Sequence, residues 1–190
     1  MSSAPPIRLA LPLSRDALAG LAAGDPVLIT GTVFTARDAT HARLVRELDS
    51  EGVLPYGLAG SVLFYAGPTP ALGERPIGAV GPTTAMRMDS WTPALLRAGV
   101  VATIGKGPRS EEVRLACAET GSVYFAAVGG AAALLASHVV FATTVAYPEL
   151  GPEALVALEV RDFPAFVAID ATGRDLYAEA AAQWRLEKRP

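Results

Sequence analysis

The sequence predicts an α/β protein, a layered sheet with flanking helices and a substantial parallel component. Three observations carry that prediction. Short apolar runs rich in Val, Ile and Phe alternate with helix-like stretches along the chain. Gly, Pro or Thr turns separate the two kinds of segment. The 190 residues are 51% hydrophobic and only 18% charged, ample for burying both faces of a sheet.

Val27 to Val33 reads as the first strand and runs into Thr35-Ala36-Arg37-Asp38. Ala39 to Leu48 follows as an amphipathic helix, with Leu44 and Leu48 four apart on one face. Val62 to Tyr65 is a second strand, closed by Gly67-Pro68. Another short apolar run, Ile77 to Val80, leads into Gly81-Pro82-Thr83-Thr84, and Thr92 to Ala98 is a helix. Val100 to Ile104 enters Gly105-Lys106-Gly107-Pro108, after which Ser110 stands as an N-cap with Glu111 and Glu112 in the first turn. Val123 to Phe125, Ala131 to Ala136 and Val139 to Phe141 read as a buried β-α-β unit. Leu155 to Val160 and Ala165 to Ile169 are two strands separated by Asp162-Phe163-Pro164, and Tyr177 to Glu187 is a polar-ended helix. Residues 1–190 are expected to form a single domain.

Composition excludes several classes of function. Sixteen basic and 19 acidic residues give a net charge of −3, without the basic excess a nucleic-acid footprint needs. The lone Cys117 excludes a disulfide framework, a multi-cysteine zinc site and a self-held iron–sulfur cluster, and no other metal-ligand set stands out. It is expected to be a buried apolar residue in a reduced, cytoplasmic protein. The N-terminus, Met1 to Pro6, has no charged region followed by an apolar run, against a secretory signal. Residues 121–148 carry no Asp, Glu, Lys or Arg, but Gly129-Gly130 and Ser137-His138 break the run, against a membrane span.

In parallel sheets, ligands sit beyond the carboxyl ends of strands, so the strand-to-helix turns are the places for chemistry. Asp38 and His41, three apart on a helix, can form a carboxylate–imidazole proton-transfer pair, or a helix cap beside a surface histidine. Thr83 and Thr84 with Arg87 make an anion site, or a capped turn in which Arg87 pairs with Asp89. Lys106 is one of two lysines against 14 arginines, kept in a glycine-framed turn that lacks P-loop spacing. Gly129 and Gly130 let backbone amides approach a ligand, or let a helix pack closely on the sheet. Together these turns point to a small anionic ligand, with a dicarboxylate using Arg37, Arg87 and Lys106 well.

The stretches Gly31 to His41, Gly81 to Asp89 and Ile104 to Ser110 together resemble class I fumarate hydratase, in its β subunit or the C-terminal domain of its single-chain form. Tyr124 to Leu135, Glu149 to Ala154 and Val160 to Asp170 are similar to the same family, so the resemblance covers about residues 24–177. It implies a swivelling β/β/α domain that closes over a cluster-bearing α subunit. It also implies a [4Fe–4S] cluster held by that partner, with none bound by this chain alone, and a hetero-oligomer or dimer. By the resemblance, Arg37, Arg87 and Lys106 bind the carboxylates of fumarate or malate, with Thr84, Gly129 and Gly130 completing the substrate site. Thr83 matches the residue that takes the carbon-bound proton, with His41, oriented by Asp38, as the alternative participant. The implied reaction is the reversible hydration of fumarate to L-malate, a step of the tricarboxylic acid cycle.

L(+)-tartrate dehydratase β subunits are similar, but the turn Gly105 to Ser110 is closer to the fumarase form. Met86 departs from some fumarases and keeps tartrate and mesaconate open as substrates. A reading from another class is a free-standing dicarboxylate-binding domain without catalysis. The hydratase reading expects an exposed apolar patch beside the strand ends where a partner docks. The Met1 start and the polar tail are read as those of a separate subunit.

Overall fold

The computed structural model describes residues 5–71 and 73–187. In chain order the elements are β1 (Ile7–Ala10), α1 (Arg15–Ala19), β2 (Pro26–Thr35), α2 (Asp38–Glu51), β3 (Val62–Phe64), α3 (Thr92–Arg97) and β4 (Ala102–Gly105). They continue with α4 (Glu111–Thr120), β5 (Val123–Ala126), α5 (Ala132–Ala136), β6 (Val139–Ala146), β7 (Leu155–Ile169) and α6 (Leu176–Glu187). The protein is therefore mixed α/β, as the alternation of apolar runs and helical stretches predicts. All of the strands join one seven-stranded sheet in the order β1-β2-β3-β4-β5-β7-β6.

Parallel pairing links β1 through β5, whereas β7 runs antiparallel to β2, β5 and β6. Since β7 also pairs with β2, the ladder β2-β3-β4-β5-β7 returns to its own start. Two cores follow from the alternation of side chains along these strands. Val62 and Phe64 of β3, Ile104 of β4, Phe125 of β5 and Phe163 of β7 pack together on one face. The residues between them, Leu63 and Tyr124, turn the other way and meet Leu44 of α2, Leu95 of α3 and Val113 of α4. Both faces of β3 to β5 are thus buried, which is why their sequences are apolar without alternation.

The structure corrects four expectations. Residues 155–169 form one strand, not two: Asp162 adopts φ 49° and its amide binds the Thr30 hydroxyl at 3.0 Å, opposite the register shift at Ile29/Gly31. The irregularity falls at Arg161-Asp162, between the pairs Ile29–Phe163 and Gly31–Val160, and Pro164 keeps its place in the strand opposite Leu28. Ile77 to Val80 is no strand; it is an irregular segment between Pro76 and Gly81 whose Ile77 and Val80 still enter the core. β6 is not the buried neighbour of β5, because β7 lies between them and most of β6 is exposed at the sheet edge. β1 and α1 precede the first expected strand; Ser14 caps α1 by accepting the Ala17 amide at 3.1 Å.

The charge-free stretch 121–148 resolves into β5, α5 and β6, and among the described residues no helix is long and apolar enough to cross a membrane. Cys117 lies on the buried face of α4, as expected, and burial pushes its thiol pKa up to about 12.

Candidate functional site

Because β2, β3, β4 and β5 are parallel, their carboxyl ends lie on one side, and the turns that follow them converge there. Arg37 follows β2 and stands at the N-cap of α2 in an extended conformation. Its guanidinium reaches the Glu153 carboxylate at 3.4 Å. A Cβ on Gly67, just past β3, would lie 3.2 Å from Nη1 of Arg37 and 2.7 Å from the Pro152 carbonyl oxygen. The bare glycine is what gives this guanidinium its place. Glu153 also accepts the Ala39 amide at 2.9 Å, so it caps α2 from a distant part of the chain.

Asp38 does neither of the things expected of it. It pairs with Arg87, through a hydrogen bond from Nε to Oδ1 at 3.0 Å and an ion contact of 2.9 Å between Nη2 and Oδ2, which accepts no hydrogen bond from a described residue. That pair removes Asp38 from the role of orienting His41 and also replaces the expected Arg87–Asp89 pair. Asp89 instead binds Arg109. Arg37, Asp38 and Arg87 are therefore brought together at one edge of the site.

The Thr83 turn is laced to the Lys106 turn through the backbone. The Lys106 amide donates to the Thr83 carbonyl at 3.1 Å, and the Ala85 amide donates to the Lys106 carbonyl at 2.9 Å. The amide of Thr83 is itself held by the Tyr65 carbonyl at 2.7 Å. From β4 the Lys106 side chain runs across Gly129, where a Cβ would come within 3.3 Å of its Cδ and 3.8 Å of Nζ. Neither the Thr83 hydroxyl nor the Lys106 ammonium bonds any described residue. Thr84 is exposed beside them. Gly130 takes φ +81°, and a Cβ on Gly81 would sit 3.0 Å from that of Ala132, which brings the start of α5 onto the Gly81 turn.

His41 faces inward, away from this surface. It is fully buried, its Nδ1–H donates to the Arg37 carbonyl at 2.9 Å, and its ring meets that of Tyr65 edge-on at 5.0 Å. Nε2 has no hydrogen-bond partner among the described residues. Burial lowers its pKa to about 4, opposed first by the hydrogen bond to the Arg37 carbonyl, with smaller charge effects from Arg109, which lowers it, and Asp38, which raises it. A neutral imidazole in the core under Arg37 is not the proton-transfer partner of Asp38 that the spacing offers. The folded pKa is depressed, so its contribution to stability is complete above pH 6.5 and is lost as pH falls toward 4. Denaturation at pH 5 is therefore expected to show about 2 kcal/mol less stability than at pH 7 from this residue, and His41→Gln removes that part of the slope.

The site is an open face; the cavity lined by Leu11, Thr32, Phe34 and Ser61 shares none of its residues. Met86 and Val128, next in sequence to Arg87 and Gly129, are 52% and 56% exposed. Among the described residues no group of three or more His, Cys, Asp or Glu is arranged to hold a metal ion. With one buried cysteine, this chain also lacks the thiolate set of an iron–sulfur cluster. What the face can do is bind carboxylates and offer a hydroxyl for proton transfer. Sequence reasoning found its cations but missed Glu153, whose only local signal is a carboxylate in a Gly-Pro turn.

Residues 2–180 match the family model described as fumarase C-terminus. The chain is 39% identical over 170 residues to "Fumarate hydratase 2" of Leishmania major, covering 88% of this chain and 30% of that protein. It is 40% identical over 153 residues to "Fumarate hydratase class I, anaerobic" of Escherichia coli, covering 80% and 28%. To "Putative L(+)-tartrate dehydratase subunit beta" of Methanocaldococcus jannaschii it is 36% identical over 173 residues, covering 88% and 89%. The chain thus spans about a third or less of the length of the fumarate hydratases it matches.

Proposed function

The chain belongs to the fumarase C-terminus family, and on that premise we propose that it is the β subunit of a hydro-lyase that reversibly hydrates fumarate to L-malate. In this reading it is a single swivelling β/β/α domain, active only against a cytoplasmic α subunit that holds a [4Fe–4S] cluster. The observation that carries the reading is the grouping of Arg37, Thr83, Arg87 and Lys106 at the carboxyl ends of parallel strands on an open face. A site for a small dicarboxylate that is open on one side is half a cleft, and exposed Met86 and Val128 supply apolar surface for the other half to dock.

Within this chain, each residue has a defined task. Arg87 exchanges Asp38 for a substrate carboxylate, which its planar guanidinium can hold through two parallel hydrogen bonds. Lys106 offers a compact ammonium to the other carboxylate, free of any competing side chain among the described residues. Arg37 adds positive charge, with Glu153 holding it in place. Thr84 and the Gly129-Gly130 backbone line the same site. The Thr83 hydroxyl takes the carbon-bound proton of malate, or returns it to fumarate. No described residue activates that hydroxyl, so its activation comes from the docked partner. The groups acting at the substrate hydroxyl are likewise outside this chain.

A second reading, an L(+)-tartrate dehydratase β subunit, is favoured by the alignment that spans 89% of the archaeal relative. Anaerobic co-purification with this chain as bait tests both. A partner with iron and sulfide, and hydration of fumarate faster than dehydration of L-tartrate, is the expected outcome. The reverse substrate ratio selects the second reading. A chain that purifies alone, without iron but with tight dicarboxylate binding, overturns both.

A further inference from the structure

Beneath the two turns that carry Thr83, Arg87 and Lys106 lies another arginine, which the proposed reaction does not use. The side chain of Arg109 is 0% exposed. Its Nε donates to Oδ1 of Asp89 at 2.6 Å, and its Nη2 to the Thr92 hydroxyl at 2.8 Å. Weaker bonds reach the Thr103 hydroxyl at 3.3 Å and the Tyr65 hydroxyl at 3.4 Å. The guanidinium lies 5.2 Å from the ring centre of Tyr65 and 4.9 Å from that of Tyr124. The other oxygen of Asp89 accepts the Ser110 amide at 2.6 Å.

These contacts join two particular segments. Asp89 ends the short 3-10 turn Ala85–Met88, which follows Thr83 and carries Arg87. Arg109 and Ser110 end the turn that begins at Gly105 and carries Lys106, and the Tyr124 hydroxyl holds that turn by donating to the Gly107 carbonyl at 2.9 Å. A buried ion pair is a costly way to stabilise a core, since apolar groups of similar volume often do as well. It is, however, rigid and directional, as a fixed spacing between two loops requires.

We propose that Arg109 is a positioning residue: through Asp89 it fixes the Thr83–Arg87 turn against the Lys106 turn, and so sets the hydroxyl relative to the carboxylate-binding cations. The proposal rests on the reading of the site given above. Arg87 and Lys106 are long and flexible enough to follow a displaced turn and still bind carboxylate. Thr83 has one short rotor and is not. A shift between the turns therefore acts on kcat more than on KM.

The test uses Arg109→Lys, which keeps the charge but loses the planar fork, in the full chain and in its complex with the cluster-bearing partner. A second variant, Asp89→Glu, keeps Arg109 neutralised while lengthening the tether, and serves if the first does not fold. Expected is a fall in kcat for fumarate of about ten- to a hundredfold, with KM within about threefold. Hydrogen exchange in the isolated full chain is expected to quicken about tenfold or more at the Lys106 and Ala85 amides, which bridge the turns, with the β3 and β4 amides unchanged. A lowered melting temperature alone, or loosened amides with kcat within twofold of the parent, overturns the proposal. Should the parent complex fail to hydrate fumarate, the functional reading falls with it, whereas unchanged exchange at both amides removes the clamp itself.

Discussion

Arg87→Ala is expected to lower kcat/KM for fumarate by about a hundredfold to a thousandfold in the proposed complex, which should still form and melt within a few degrees of the parent. The size follows from what the guanidinium gives a carboxylate, two parallel charge-assisted hydrogen bonds worth about 1.5–3 kcal/mol each, less the cost of releasing Asp38. The small effect on stability follows from position. Arg87 is 49% exposed, and its pair with Asp38 lies at a surface where such pairs contribute about 0–1 kcal/mol. Most of the loss falls on KM, because the carboxylate is bound in the ground state as well as in the transition state. Arg87→Lys lies between, keeping the charge without the fork. Steady-state kinetics beside a thermal melt measure both halves; full activity in Arg87→Ala removes the carboxylate clamp from the account.

Thr83→Val, which keeps the shape and deletes the hydroxyl, is expected to lower kcat by about a hundredfold to ten-thousandfold and leave KM within about threefold, the range for losing the proposed proton-transfer group. The Thr83 hydroxyl makes no bond within the described residues, so the fold loses nothing when it is removed. Its amide and carbonyl, which hold the turn to Tyr65 and Lys106, are untouched by the change. Thr83→Ser restores a hydroxyl at the same position and recovers most of the rate. If Thr83→Val keeps the parental kcat, the proton moves through another group, and His41 is poorly placed to be that group, buried and facing inward.

The parts of the fold that were legible in the sequence share one property. Val62 to Phe64 and Val123 to Phe125 are covered on both sides and read as continuous apolar runs, and Val27 to Val33 buries Val27, Ile29 and Val33, so each carries a dense apolar signal. β1 carries a single buried residue in four, too weak a pattern to stand out, and the five residues of α1 span little more than a turn. Asp162-Phe163-Pro164 has the composition of a turn, yet tertiary pairing with β2 carries the strand straight through it. At the site, cations following strand ends could be found from sequence because the turns themselves are local. Their partners could not. Asp38 lies three residues from His41 but bonds Arg87, and Asp89 lies two from Arg87 but bonds Arg109; Arg37 is held by Glu153, far along the chain. Helical spacing gives neighbours on one element, whereas these pairs form between elements that the sheet brings together.

The central claim is that this chain lends a carboxylate clamp and a proton-transfer hydroxyl to chemistry completed by another polypeptide. The most direct test is anaerobic complementation: fumarate hydration measured with this chain alone, with its cluster-bearing partner alone and with the two mixed. The account predicts turnover only in the mixture, and a fall of about a hundredfold or more at sub-saturating fumarate when the Arg87→Ala chain replaces the parent. Equal turnover by the partner alone would contradict it.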